Sequence, residues 1–522
     1  MAGFFGRLIG RGEGGRPSPR AGFMRDGGSP FFSGWQPVLR ESRDDVRVAW
    51  SKAAARATDL IQNSGFVAGG IDQSTAQVVG TGLRLNAMPD ADALGMTAGE
   101  AAFLGRTIER RFELWADRPI ECDIEGRRPL GQIAAAAYRG WMATGEIVAL
   151  LPFRARAGGQ YQTKLQLLPS SRLAQTSIQP DIFQGVRLDG DGFPLAYRIT
   201  TPGKWGGMDE LEIRARDSAG RPRVVHVFDG LAGQVRGITP MASALRVTRQ
   251  FDQLADATLT AALIQAILVG TFTSDAPTEE AMEAMRGASE KKGSTPLDDF
   301  MAARGAWYDN TKIDLGRFGK IAHLFSGDKL EFHGAKHPNE QYEKFASFLL
   351  REIARCMGLT YEDLTGDYRG STYSSVRMAT AAMWLIVLTR RSFVVAPLMQ
   401  AAYEAWLEEE IDSGAIAFPG GLDGFLANRT AASRARWRGT GKPQADDLKT
   451  AKAHQIWKQI GVMSDETIAN ELGVDLEDLY EQLEREREMR AERGLPEMSA
   501  FMGHNGGPAL DDDEDESEKA DA

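Results

Sequence analysis

The chain has 522 residues, 43% hydrophobic and 25% charged, so it can bury a core and wholesale disorder is excluded. At roughly 150 residues per domain it has room for about three domains or one elongated, multi-part subunit. Its 61 Lys and Arg face 72 Asp and Glu, a net charge of −11, which argues against a nucleic-acid binder that grips through a general basic surface.

The charge is uneven. Residues 511–522 carry eight acids and one Lys, a net of −7, which leaves −4 on the other 510 residues. Two cysteines, Cys122 and Cys356, exclude a disulfide framework and a four-cysteine zinc site, and reduced thiols are the simple expectation. The opening MAGFFGRLIGRGEGG lacks a continuous apolar run, so no secretory signal is expected. The most apolar runs, 259–272 and 378–388, fall short of the ~20 residues that span a bilayer. They read as buried helix faces, and no membrane partner is expected.

Residues 1–40 are rich in Gly, Pro and Arg without periodicity and read as a flexible basic arm. Helical signal begins near Asp44. Val46, Trp50, Ala53, Ala57 and Leu60 recur every three to four residues, and Asn63-Ser64-Gly65 suits a helix end. Residues 71–86 read as a helix running into an extended piece, with Gly80 and Gly82 as breakers. From 150 to 228 the pattern becomes strand-like, in short segments at 165–168, 185–188, 195–199 and 224–228. Asp189-Gly190-Asp191-Gly192 between two of these is a hairpin turn rather than a calcium loop, because Phe193 stands where a third oxygen ligand is needed.

After Pro240 the chain is strongly helical. Residues 241–270 predict one long helix with Leu245, Phe251, Leu254, Leu259, Leu263 and Ile267 apolar among polar neighbours. Residues 271–337 are weakly patterned. A second helix at 339–357 puts Tyr342, Phe345, Leu349, Ile353 and Met357 on one side. A Gly- and Thr-rich loop spans 358–372. The longest helix follows, from Tyr373 to about Ile411, with a kink expected at Pro397. Two or three short helices fill 443–490, opened by the N-cap candidates Ser464 and Asp475. The segment 481–493 reads as a solvated mixed-charge helix. Disorder is expected from Met498.

Catalytic patterns fail on inspection. Gly439-Thr440-Gly441-Lys442-Pro443 imitates the end of a Walker loop, but Arg436 replaces its first glycine and Pro443 its hydroxyl residue, so it reads as a surface turn. His333 and His337 lack the glutamate and the continuous helix of a zinc hydrolase. The pairs Asp298/Asp299 and Asp363/Asp367 have no metal-ligand pattern around them. No catalytic residue, metal site or cofactor is expected.

The architecture is more telling. Two long helices flank a variable insert, a short loop leads to a third long helix, and a strand-rich part precedes them. A subunit packed side by side in a ring suits this order, because neighbours supply the missing burial. Four stretches then resemble the lambda-like portal proteins of tailed bacteriophages, from about Trp35 to Gly494. They are 56–63 followed by Val79-Gly80-Thr81-Gly82-Leu83; Trp115-Ala116-Asp117, Cys122-Asp123, Gly126 and Gly145-Glu146; His226-Val227-Phe228 and Gln234-Val235-Arg236-Gly237; and Glu352-Ile353-Ala354, 358–361 and 373–377. Each is weak alone, and their order and spacing together are specific.

The resemblance implies an α+β ring subunit. After the arm it implies a wing at 41–240 and stem helices at 241–270 and 338–357 around a clip at 271–337. A tunnel loop at 358–372 and a tunnel helix at 373–411 follow, then outer wing and crown at 412–490 and an acidic tail at 491–522. It also implies a homo-oligomeric ring, twelve subunits being typical, set at one capsid vertex. Double-stranded DNA would pass through it. The terminase large subunit would dock there and a head–tail connector protein later replace it, with major capsid and scaffold proteins as further partners. The subunit would be found in the virion, and in the host cytoplasm during assembly. A head–tail adaptor or scaffold, and a packaging enzyme, are the alternatives. The expected DNA-channel residues are Asp367, Tyr368, Arg369, Ser371 and Thr372, with Arg369 touching phosphates and Tyr368 giving bulk; a plain connector is the rival reading. Phe251, Leu254 and Leu263 are expected to pack within the stem or against adjacent stems.

Overall fold

A computed structural model describes residues 38–495 apart from 178, 204–206, 268–270, 275–301, 303–305, 307–327, 332–339 and 444–446. The basic arm up to residue 37, the tail from 496, Asp298, Asp299, His333 and His337 lie outside the described residues, as does most of the insert.

Helix α1 (Ser42–Asn63) buries Val46, Trp50, Ala53, Ala54, Ala57 and Leu60, the stripe its spacing predicts. Only Ser64 separates it from α2 (Gly65–Val78), so the helix stop is a sharp corner rather than a loop. Strand β1 (Arg84–Ala87) and the single turn α3 (Ala91–Leu94) lead to α4 (Ala98–Ala116). Thr97 and Glu100 cap α4 reciprocally: the hydroxyl accepts from the Glu100 amide, and the carboxylate from the Thr97 amide. After the turn α5 (Pro119–Cys122) comes α6 (Leu130–Thr144), whose Ile133, Ala134, Ala137, Tyr138, Trp141 and Met142 are buried.

Two antiparallel sheets follow. β2 (Glu146–Leu150) lies between β3 (Gln166–Leu168) and a later strand, β8 (Val224–Phe228). The other sheet runs β4 (Ile182–Phe183), β5 (Val186–Leu188), β6 (Pro194–Pro202), β7 (Met208–Arg214) in sequence order. The hairpin turn at 189–192 is present: the Asp189 carboxylate accepts from the amides of Asp191 and Phe193. β2 and β7 are strands that the sequence reading did not identify.

A 3₁₀ turn at Pro240–Ser243 precedes α7 (Leu245–Ile267), so the expected helix begins about one turn later. Strand β9 (Thr271–Ser274) after it pairs antiparallel with β10 (Asp328–Glu331), which brings the two ends of the insert together. Helix α8 (Glu340–Met357) packs on α7, and its Ala346, Leu349, Leu350, Ile353, Ala354 and Met357 are buried in the same core. Phe345, expected on that face, is exposed, because Ala346, Leu350 and Ala354 complete the buried stripe one position further round. Phe251 packs edge-on to Phe66 at 5.4 Å and Leu254 is half-buried against the same core. The side chain of Leu263 is outside the described residues.

The segment 358–372 is not all loop. It holds a short helix, α9 (Tyr361–Thr365), capped by Thr360 and Asp363. Helix α10 (Tyr373–Arg390) continues through a π turn at Arg391–Val395 into α11 (Ala396–Asp412). The turns α12 (Gly421–Ala427) and α13 (Arg429–Ala432) lead to β11 (Ala435–Arg438), which pairs with β1. Three helices close the chain: α14 (Asp447–Gln459), α15 (Asp465–Leu472) and α16 (Leu476–Glu492). Ser464 and Asp475 cap the last two, as their positions predict.

The reading of 378–388 as a buried face is overturned. Met378, Leu385 and Leu388 are exposed, while Val387 is buried. The apolar run also continues across the π turn. The helix Ser374–Asp412 has 39 residues and is long and apolar enough to cross a membrane by length and composition, with a third of its most apolar window buried. Its second half is core: Leu398, Met399, Ala402, Tyr403, Trp406 and Leu407 are buried, and Tyr403 and Trp406 pack against Phe112 of α4. Phe112 meets Trp406 at 5.2 Å and Tyr403 at 5.7 Å, both edge-on.

Two buried charge devices hold these layers. Glu146 and Arg236 are both fully buried. Arg236 Nε donates to Glu146 Oε2 at 2.8 Å and its Nη2 to Oε1, while the Gly237 amide and His226 Nε2 lie 3.2 and 3.0 Å from Oε2. The Arg236 guanidinium also stacks over Trp50 of α1 and donates to Gln184 O. The approach depends on Gly145, at φ +87°, where a Cβ would stand 2.0 Å from the Ile238 carbonyl carbon. Burial alone would raise the Glu146 carboxyl; the bonds from Arg236 and His226 instead hold it at about 2.

The second device is the π turn. The Ala396 amide reaches back to Arg391 O, five residues away, just before Pro397. Proline has no N–H to continue the ladder, and the wide turn relieves its ring. Arg390 and Arg391 therefore leave the helix toward different neighbours. Arg390 donates to Met357 O at the end of α8, to Tyr138 Oη and to Ser74 Oγ. Arg391, buried, donates to Val78 O and Gln77 O at the end of α2 and to Thr440 O. Positive groups at helix C-termini complement the dipole and satisfy the last carbonyls. Gly439-Thr440 is thus a tether beneath Arg391 rather than a plain surface turn.

Two outcomes follow from these devices. Glu146→Ala leaves Arg236 buried without its counter-charge, so denaturant titration should show a loss of about 3–5 kcal/mol. In the wild type this contribution is present above pH ~4.5 and lost as pH falls through about 2. Arg391→Leu leaves main-chain carbonyls unsatisfied at about 1–3 kcal/mol each. Arg391→Lys should recover only part of that loss in the same titration, because an ammonium cannot fork between α2 and Thr440.

Candidate functional site

The loop that the sequence reading singled out begins where α8 stops. Gly358 takes φ +74°, and the Leu359 amide closes back onto Ala354 O. A Cβ at Gly358 would lie 2.9 Å from Arg390 Nη1, so the loop start is pressed against the cation that caps α8. Leu359 and Leu364 are buried and anchor α9 to the body. Gly366, again left-handed, ends α9 and turns the chain outward.

The tip is a self-contained ion pair. Asp367 Oδ1 accepts from the Arg369 amide at 3.1 Å and from its Nε at 2.9 Å, and Oδ2 accepts from Nη2 at 2.7 Å. Nη2 also reaches Glu343 of α8 at 3.3 Å. These bonds hold the Asp367 carboxyl down at about 2 and push the guanidinium further up. Arg369 nevertheless stays 79% exposed at its side chain, so its outer face is open to a ligand. Tyr368 beside it is 55% exposed.

Ser371 and Thr372 do different work. Ser371 Oγ donates to Glu362 Oε1 at 3.0 Å, and Thr372 caps α10 by a reciprocal pair with Ser375. The structure brings Asp367, Tyr368, Arg369 and Ser371 into one tight loop with Thr372 at its exit; Tyr368, Arg369 and Thr372 are exposed, while Asp367 and Ser371 are half-buried. Chemically the tip can offer one planar cation and one aromatic ring. Its charge is not free, because Asp367 and Glu343 share the arginine and leave the trio at −1 if all three are ionised.

Glu343 was missed by sequence reasoning, since its link to Arg369 crosses 26 positions. Arg390 and Arg391 were missed as well; the signal was present as two arginines shortly before a proline inside an apolar helix. Among the described residues no group of three or more His, Cys, Asp or Glu could hold a metal ion. Cys122 is buried and its thiol is pushed up to about 12 by burial and then by Asp123, which makes it an inert core residue.

The chain was compared with known proteins. It is 26% identical over 480 residues to the portal protein of Escherichia phage N15, with 90% of each chain covered. It is 26% identical over 481 residues to portal protein B of Escherichia phage lambda, with the same coverage. The probable portal protein of Halomonas phage phiHAP-1 is 22% identical over 434 residues, 80% of this chain and 77% of that one. Among solved structures, a chain from the neck of an empty GTA particle gives a TM-score of 0.45 at 15% identity, covering 80% of this chain and 93% of that chain. A chain from the neck of the native GTA particle, computed with C12 symmetry, gives 0.37 at 16% identity, covering 78% and 99%. The family profile described as "Phage portal protein, lambda family" matches residues 29–391, from the segment before α1 to the buried arginine at the π turn. The chain belongs to the lambda family of phage portal proteins.

Proposed function

We propose that this chain is the subunit of a homo-oligomeric ring at one capsid vertex, through which double-stranded DNA is packaged and later ejected. The family match over residues 29–391 carries this reading. In it, 41–240 is the wing, α7 and α8 are the stem, 271–337 is the clip, and α10 with α11 is the tunnel helix behind the loop 358–372. Residues 412–490 are outer wing and crown. The pairing of β9 with β10 supports an insert that leaves and returns at one place between two stem helices. The clip is the proposed dock for the terminase large subunit and then for a head–tail connector protein. Major capsid and scaffold proteins are the further partners, in the virion and before that in the host cytoplasm. The subunit itself catalyses nothing in this reading.

Side chains that a lone subunit leaves uncovered support the ring. Met378, Leu385, Leu388 and Phe393 are exposed along one long helix, and apolar surface of this kind marks interaction sites. The loop supports the channel role through Tyr368 and Arg369, one stacking ring and one partly neutralised cation. A tip that is acidic on balance releases phosphates easily, as a passage for a polyanion requires.

Imaging of the purified protein should show rings with a central hole. Leu385→Asp should leave subunit melting unchanged, because the side chain is 67% exposed, yet mass photometry should find single subunits in place of rings. Intact rings in that variant would remove α10 from the interface. Deleting 368–370 should leave rings intact while lowering packaged DNA per particle; normal packaging and retention would make the loop a connector only.

A further inference from the structure

The C-terminal helices are attached in a way unlike the rest of the fold. α16 has no buried residue, and α15 buries only Ala469. Trp457, Ile460, Val462, Leu472 and Leu483 of this region are exposed. What joins α16 to the body is charge. Arg106 and Arg110, one turn apart on α4, meet Glu477 and Glu481, one turn apart on α16, at 3.3 and 2.5 Å. Arg438 of β11 pairs with Asp475, the N-cap of α16. The rungs 106–477 and 110–481 share one offset, so the two helices lie alongside in the same direction.

Within the segment, contacts are its own. His454 of α14 lies 3.0 Å from Glu471 of α15, Lys458 reaches Asp465 at 2.5 Å, and Tyr480 of α16 donates to Asp465 at 3.5 Å. The three helices are therefore cross-linked to one another. A cleft of about 290 Å³ separates them from α4 and is lined by four arginines and six carboxylates. Its wall thus mixes attraction with repulsion: Glu109 of α4 faces Asp475 and Glu477 as well as Arg438.

We propose that residues 447–495 form a detachable unit, latched to α4 and β11 by an ion-pair ladder and released by ionic strength while the remaining fold stays intact. The rungs Arg106–Glu477 and Arg110–Glu481 are solvent-accessible and weaken as the Debye length shrinks toward ~3 Å near 1 M salt, whereas the mostly covered pair Arg438–Asp475 is screened less and the apolar core under α4 does not weaken. No residue of α16 is itself buried, so release strips no buried α16 side chain from the core. The Gly441/Gly473 approach, where a Cβ on Gly473 would stand 2.8 Å from the Gly441 amide nitrogen, places the pivot at the tethered end, beside Arg438.

Hydrogen exchange of the full chain tests this, read on 98–116 and 476–492 with α6 as internal reference. Raising NaCl from about 50 mM to about 1 M should speed exchange in 476–492 by about threefold or more and leave 98–116 and α6 unchanged. Arg106→Glu with Arg110→Glu should reproduce the high-salt pattern at low salt. Adding Glu477→Arg and Glu481→Arg should restore protection, since the ladder is rebuilt with reversed sign. Salt-independent exchange in the wild type overturns the proposal. So does a four-fold variant that stays unprotected, because the loss would then come from α4 packing and not from the ladder. Neither readout depends on ring formation or on DNA.

Discussion

One constraint organises the molecule: a single long helix must pass from an uncovered surface into the core while containing a proline. The π turn at Arg391–Val395 meets it, opening the ladder where Pro397 offers no donor. The same widening aims Arg390 and Arg391 at different targets. One guanidinium caps α8 and touches α6; the other caps α2 and tethers Thr440. Four separate parts of the chain are thereby tied to the point where α10 meets α11. The loop at 358–372 inherits its position from this knot, because Gly358 rests against Arg390.

Buried charge is handled by two different rules here. Arg236 is matched by a carboxylate, and Glu146 stays ionised in spite of burial because three donors converge on it. Arg391 is answered by main-chain carbonyls at a helix end, whose summed dipole replaces a counter-ion. Both arrangements are directional, so they fix how layers meet rather than merely how much area they bury. The C-terminal helices are joined differently, by the accessible pairs Arg106–Glu477 and Arg110–Glu481 and the mostly covered pair Arg438–Asp475; accessible pairs bind weakly and respond to salt.

The two antiparallel sheets and the α4–α11 core are held by buried aromatics and matched charges. The loop tip shares Arg369 between two carboxylates and is acidic on balance, which in the proposed channel would suit contact with a polyanion without retention. Met378, Leu385 and Leu388 of α10 stay exposed among the described residues, and in the proposed ring the neighbouring copies would cover them.

Much of this was legible in the residues. The α1 stripe, the hairpin at 189–192, the caps at Ser464 and Asp475, the helix pair around an insert and the break near Pro397 all follow from local periodicity and turn chemistry, which act over a few positions. Two of the stretches that carried the family resemblance, Gly145-Glu146 and Gln234–Gly237, are the two halves of the buried pair, yet nothing local says that they meet. Only the tertiary structure decided that Gly145 lets residue 238 pass close enough to seat Arg236, that Phe345 faces out while Ala346 faces in, and that Met378 and Leu385 are left uncovered. It also decided that Glu343 shares Arg369. The reason is the same in each case: propensity and period specify an element and its apolar side, whereas which charges pair and which apolar side is covered depend on contacts between segments tens to hundreds of residues apart.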